Sequence, residues 1–193
     1  VYASRSHDVF ASLSVAGSAA KGDDRPASDV TVAVGWGRFI DATALRKAVR
    51  QQRRDCVHIV KIFVDGEGVS NHNPQHELSF HDEEIAAICD EAHRRNMKVA
   101  SHSRSAAGVK QAVKYGVDYI GHANYLDEEA ADMLAEARDR VFVGPGIIWE
   151  LGLIEHCESM GYTKQWVRDR GYEDEVEATI KSVKMMLDRD IRM

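Results

Sequence analysis

A chain of 193 residues with 44% hydrophobic and 29% charged residues is composed like one packed globular domain, which excludes wholesale disorder. The formal net charge of -6 is spread without a block of like charge, excluding a nucleic-acid arm or a membrane-surface helix. No apolar run is long enough to cross a bilayer, and the first residues lack a signal-peptide pattern. Cys56, Cys89 and Cys157 are odd in number, far apart and without CxxC spacing. They read as small buried hydrophobes in a reducing compartment, which makes the cytoplasm the default setting.

In chain order, residues 1–4 read as the tail of a strand. Residues 6–40, rich in Gly, Ser, Ala and Asp, read as a loop in which residues 30–34 form a short strand or part of a buried loop. A loop of that length in a compact domain usually works at a site or covers one. Asp41 caps a helix that ends near Asp55, with Leu45 and Val49 turned inward. An apolar strand over residues 59–65 follows and carries Lys61. A polar loop with His72, Pro74 and His76 leads to a helix over residues 79–96. Ser79 is its expected N-cap, and Ile85, Ile88, Cys89 and Ala92 form its buried stripe.

The pattern then repeats. A strand over residues 99–103 bears His102, and a helix with Val109, Ala112 and Val113 inward stops at Gly116. A strand over residues 119–123 bears His122, and Asp127, Glu128 and Glu129 open a helix with Met133 and Leu134 on its apolar side. A short strand over residues 141–143 ends in Gly144-Pro145-Gly146. Helices over residues 150–159 and 173–189 close the chain, the second with Val176, Ile180, Val183 and Leu187 at helical spacing. Residues 191–193 look like a strand just starting.

Alternation of apolar strands and amphipathic helices predicts a parallel sheet with crossover helices. Strand-to-strand steps of about 20 residues favour a (β/α)8 barrel over a doubly wound sheet. Five strands are countable where a closed barrel needs eight, so the expectation is a single partial barrel domain over residues 1–193, about strands 3 to 7, with two unpaired sheet edges. Side chains at the C-terminal strand ends of such a barrel meet at one mouth. Lys61 is costly in an apolar strand unless the site uses it. A lone strand His is more often a hydrogen-bonded core residue than a ligand, so His102 and His122 gain weight only jointly with Lys61.

Val60-Lys61-Ile62-Phe63-Val64-Asp65-Gly66, Val99-Ala100-Ser101-His102-Ser103 and residues 116–126 around Gly121-His122-Ala123-Asn124-Tyr125 together resemble the amidohydrolase superfamily. Within it they are most similar to the imidazolonepropionase-like and Xaa-Pro dipeptidase branch. The resemblance spans residues 41–146 well and the flanks poorly. It implies that residues 1–4 are the third barrel strand, with Lys61, His102, His122 and Val143 on the fourth to seventh. It further implies that Lys61, His102 and His122 are catalytic metal ligands, Lys61 as a carbamate, around one or two divalent ions, with zinc expected. The implied reaction is hydrolysis of an amide-like C–N bond in a small molecule by a metal-activated hydroxide, in a homo-oligomer without nucleic-acid or membrane partners. The family's first-strand His-x-His motif and eighth-strand Asp have no counterpart in these residues.

Four further residues are candidates for substrate contact. Tyr125, just past His122, is placed to meet a carbonyl oxygen, or is a packed aromatic. His72, with its neighbour His76, follows the Lys61 strand on the mouth side, or belongs to a solvated loop. Arg104 suits a substrate carboxylate, or the surface. Trp149, with Ile148, walls an apolar pocket after the seventh strand, or packs in the core. Two rival readings stand beside the hydrolase: a Schiff-base enzyme of class I aldolase type using Lys61, and an inactive barrel fragment serving as a binding module.

Overall fold

The computed structural model describes residues 10–16, 32–35, 42–66 and 76–193, the first two stretches as backbone only. Six strands are assigned: β1 (Phe10–Ala16), β2 (Val32–Gly35), β3 (Ile59–Phe63), β4 (Lys98–Ser105), β5 (Tyr119–Tyr125) and β6 (Phe142–Gly144). They form one sheet in the order β2-β1-β3-β4-β5-β6. The last four are parallel, and β1 pairs antiparallel with both β2 and β3. The parallel βαβ repeat of a (β/α) barrel is therefore present as expected. Instead of the expected long loop, residues 10–16 and 32–35 add an antiparallel edge to it. The short strand expected over residues 30–34 appears as β2, and residues 1–4 lie outside the described residues.

The helices are α1 (Ala42–Arg54), α2 (Asp82–His93), α3 (Ala106–Tyr115), α4 (Glu128–Glu136), α5 (Ile147–His156), α6 (Lys164–Asp169) and α7 (Tyr172–Asp188). Local chemistry sets their ends. The Ser105 hydroxyl accepts from the Gly108 N–H at 3.0 Å to start α3, and Gly116, at φ 92°, stops it in the left-handed conformation that glycine adopts without a Cβ penalty. Asp127 starts α4 by accepting from the Ala130 N–H. The start of α2 lies later than Ser79: His81 is the N-cap, and Glu84 reaches back to its N–H at 2.7 Å. Asp41 lies outside the described residues.

Between strands and helices sits the core. Val60, Ile62, Val99, Ile120 and Val143 on the sheet are fully buried against Leu45, Ile85, Ile88, Val109 and Leu134 on the helices. Each such side chain contributes about 1.5–3 kcal/mol. The opposite face carries Ile59, Lys61 and Phe63 on β3, with Lys98, Ala100 and His102 beside them in register. Residues 191–193 form no strand, although the Arg192 carbonyl accepts from the Val143 N–H at 2.9 Å.

The last helix buries a different stripe from the expected one. Tyr172, Glu175, Thr179, Ser182 and Met186 face inward on α7, whereas Ile180 and Leu187 are 54% and 64% exposed. Polar side chains can line the inner face because Glu175 meets Arg104, Thr179 meets Asn124, and Ser182 accepts from the Leu126 N–H. A satellite cluster of Leu153, Cys157, Val167 and Tyr172 joins α5, α6 and α7.

Candidate functional site

Lys61 sits in the middle of β3 on the face away from the helices. Its ammonium donates to the Ser101 carbonyl at 2.8 Å. Space for it comes from Gly121, where a Cβ would stand 3.3 Å from Nζ and 2.9 Å from the Ser101 oxygen. Burial penalises the charged form and pulls the amine pKa down to about 8.

His102 lies one strand over, 6% exposed, stacked on Phe63 with ring centroids 4.8 Å apart. Its Nε2 is 3.2 Å from the Gly66 carbonyl. A carbonyl only accepts, so Nε2 carries the proton and Nδ1 keeps its lone pair. Burial first, and then His122, Lys61 and Arg104, hold its pKa well below the ordinary histidine value.

His122 reaches the same face by a backbone detour. The register places it beside Ser103, and strand alternation would then turn it away from His102. Instead His122 and Ala123 have φ of 81° and 52°, and the β4–β5 register shifts between Ser103 and Ser105. This irregularity re-aims the imidazole, a common use of bulges beside active sites. The two rings end with centroids 4.5 Å apart and planes inclined by 62°. Burial, then Arg104 and Lys61, lower the His122 pKa to about 4. The imidazole also packs on Gly146, where a Cβ would stand 2.4 Å from Nδ1.

The structure thus gathers Lys61, His102 and His122 on one face of the sheet. Both imidazoles are neutral at pH 7, and the buried His122 Nδ1 has no hydrogen-bond partner among the described residues. Neutral imidazole nitrogen is a good ligand for zinc and similar ions, so this donor set fits a divalent metal. Among the described residues no three His, Cys, Asp or Glu side chains cluster as a metal site, and the third member here is the amine of Lys61. A cavity of about 730 Å³ opens at the other end of the strands, lined by Ile59, Lys98, Tyr119 and Arg140, away from this chemistry.

The remaining candidates are placed unequally. Tyr125 is half-buried and meets His76 edge to face, with centroids 5.0 Å apart. Trp149 is 40% exposed in the first turn of α5, three residues past the Gly146 that touches His122. His72 lies outside the described residues. Arg104 is placed inside the protein, 1% exposed, with its guanidinium against Glu175 and 3.7 Å from Glu150. A substrate carboxylate would have to displace two buried partners to reach it.

Sequence reasoning missed the polar residues behind the site. The Asp65 carboxylate accepts from the Arg104 and Ser105 N–H groups and from the Ser105 hydroxyl. Burial outweighs those bonds and raises its pKa to about 6. A Cβ at Gly108 would come within 2.2 Å of it, which explains a glycine in the first turn of α3. Asp65 stands in one of the quoted motifs, so a signal existed. Glu150 and Glu175 gave none, because an acidic residue early in a helix usually signals helix-dipole complementarity at the surface.

No protein-family profile matches the chain. Ochratoxinase of Aspergillus niger is 28% identical over 130 residues, 67% of this chain and 27% of that protein. The chain therefore spans about a quarter of the length of the curated relatives it matches. Among solved structures, a prolidase complexed with N-methylphosphonate-L-proline is 26% identical with a TM-score of 0.72, covering 80% of this chain and 37% of that one. An amidohydrolase structure is likewise 26% identical, with a TM-score of 0.70 over 92% of this chain and 43% of that one. In its parallel fold and in these likenesses, the chain is similar to members of the amidohydrolase superfamily.

Proposed function

We propose that the protein hydrolyses amide-like C–N bonds in small molecules and that Lys61, His102 and His122 hold a divalent metal for that reaction. The observation that carries the reading is the convergence of two neutral imidazoles, 4.5 Å apart, with an amine whose pKa has fallen to about 8. Prolidase and ochratoxinase among the relatives support it. When bound, the metal lowers the pKa of water and polarises the scissile carbonyl.

This chain's own residues have definable parts. The neutral Lys61 amine adds to carbon dioxide, forming an N–C bond and losing a proton, and so becomes a carbamate anion able to ligate. His102 offers Nδ1, because the Gly66 carbonyl holds the proton on Nε2. His122 offers Nδ1, which no described residue hydrogen-bonds, or the opposite nitrogen. Tyr125 and Trp149 stand on the mouth side, where a hydroxyl suits the substrate carbonyl and an indole suits its apolar part. His72 remains a candidate for the same rim.

Metal analysis of the purified protein, followed by removal and add-back in an amidase assay, tests the reading. Activity that returns with zinc supports it, and full activity in metal-free protein refutes it. A lowered amine pKa also suits an imine, so trapping with borohydride and a carbonyl compound serves as the control. A carbamylated Lys61 forms no imine.

A further inference from the structure

We propose that Asn124, Thr179 and Ser182, backed by Glu150, form a clamp that holds His122 in its left-handed backbone and so aims its imidazole. The inference rests on the proposed role of His122 and adds residues that touch neither metal nor substrate.

Two consecutive non-glycine residues at positive φ cost on the order of 1–3 kcal/mol each and persist only where the surroundings hold them. The holding groups begin at the next residue. Asn124 is fully buried, and its Nδ2 donates to Glu150 Oε1 at 2.9 Å and to Thr179 Oγ1 at 2.7 Å. The Thr179 hydroxyl spends its own proton on the Glu175 carbonyl at 2.8 Å, so it is oriented to accept from Asn124. Behind them, the Ser182 hydroxyl donates to the Asn124 carbonyl at 2.8 Å and accepts from the Leu126 N–H at 3.0 Å. Asn124 is thus fixed through both side chain and main chain, immediately after the strained pair.

The clamp also reaches the other imidazole. Glu150 lies 3.7 Å from Arg104, which meets Glu175 as well and stands two residues past His102. One buried network therefore ties the ends of β4 and β5 to α5 and α7. It explains why α7 turns Glu175, Thr179 and Ser182 inward while leaving Ile180 and Leu187 exposed.

The test reads the His122 ring itself, in metal-free protein with ¹³C-labelled histidine, its signal assigned by its loss in His122→Asn. Thr179→Val, which keeps the shape and removes the hydroxyl, is expected to shift or broaden the His122 signal. The signal of His93, at the far end of the sheet, should stay fixed, and Thr179→Ser should restore the native spectrum. Zinc affinity, read by competition with a chelator, should fall about ten-fold in Thr179→Val and recover in Thr179→Ser. An unchanged His122 signal in folded Thr179→Val overturns the clamp. If that variant fails to fold, Ser182→Ala carries the same test, and an unchanged signal there overturns it. A ring that follows Thr179 while zinc binding ignores His122→Asn supports the clamp and removes only the ligand role.

Discussion

The His102 and His122 rings lie 4.5 Å apart although the register pairs His122 with Ser103, on the other side of the sheet from His102. The convergence is made by backbone, through the left-handed His122 and Ala123, rather than by side-chain rotation alone. A regular strand would keep one imidazole at the mouth and send the other toward the helices. The two ring nitrogens are therefore expected to act as a pair. His102→Asn and His122→Asn should each weaken zinc binding by about ten-fold or more, read by chelator competition. Native stoichiometry and affinity in both variants would return the two residues to the core.

Gly146 lets the His122 ring occupy its place, since a Cβ there would stand 2.4 Å from Nδ1. Gly146→Ala should push the imidazole aside and cut metal binding and turnover by about ten-fold or more, with little loss of melting temperature. Gly152, inside α5 with open space around its Cβ position, supplies the contrast. Gly152→Ala should leave the site alone and stabilise the helix by about 1 kcal/mol. Equal effects from the two substitutions would contradict this account.

Lys61 lowers the stability of the metal-free protein at neutral pH. Its folded pKa of about 8 lies below the unfolded value of 10.5, so between them the unfolded chain binds the proton more tightly. The cost is complete below about pH 8 and gone above pH 10.5. Lys61→Met should therefore be more stable than the native protein at pH 7, by on the order of 3 kcal/mol, with the gap closing as the pH rises toward 10.5. Metal content should fall in the same variant. A stability difference that does not vary with pH would show that desolvation of the amine is not its source.

Much of this was legible in the sequence, and the gaps have physical causes. The parallel strands declared themselves as short apolar runs between helical patterns, and α1 to α4 because one face is polar and the other aliphatic. Lys61, His102 and His122 stood out as polar interruptions in apolar runs. The inner face of α7 is offset by one residue from its apolar stripe: Val176, Ile180, Val183 and Leu187 have helical spacing, yet Glu175, Thr179 and Ser182 go inside. Hydrophobic periodicity cannot see a face buried through hydrogen bonds. The burial of Arg104 leaves no trace in the sequence for the same reason, because its partners Glu150 and Glu175 lie far along the chain.

Acid titration should separate two buried groups that oppose each other. The folded pKa of His122, about 4, is depressed, so its contribution is present above the ordinary value of 6.5 and lost as pH falls through 4. Asp65 is raised to about 6 from 3.8, so its contribution is present below 3.8 and lost as pH rises through 6. Between these limits the two slopes partly cancel in the native metal-free protein. His122→Gln removes the first, and its stability relative to native should rise by on the order of 2 kcal/mol as the pH falls from 6.5 to 4. Asp65→Asn removes the second, and over the same range its relative stability should fall by a similar amount, beyond any fixed loss from weaker bonds to the Arg104 and Ser105 N–H groups. Urea denaturation at stepped pH reads both curves. Parallel curves for all three proteins would mean that neither group has a shifted pKa in the folded state.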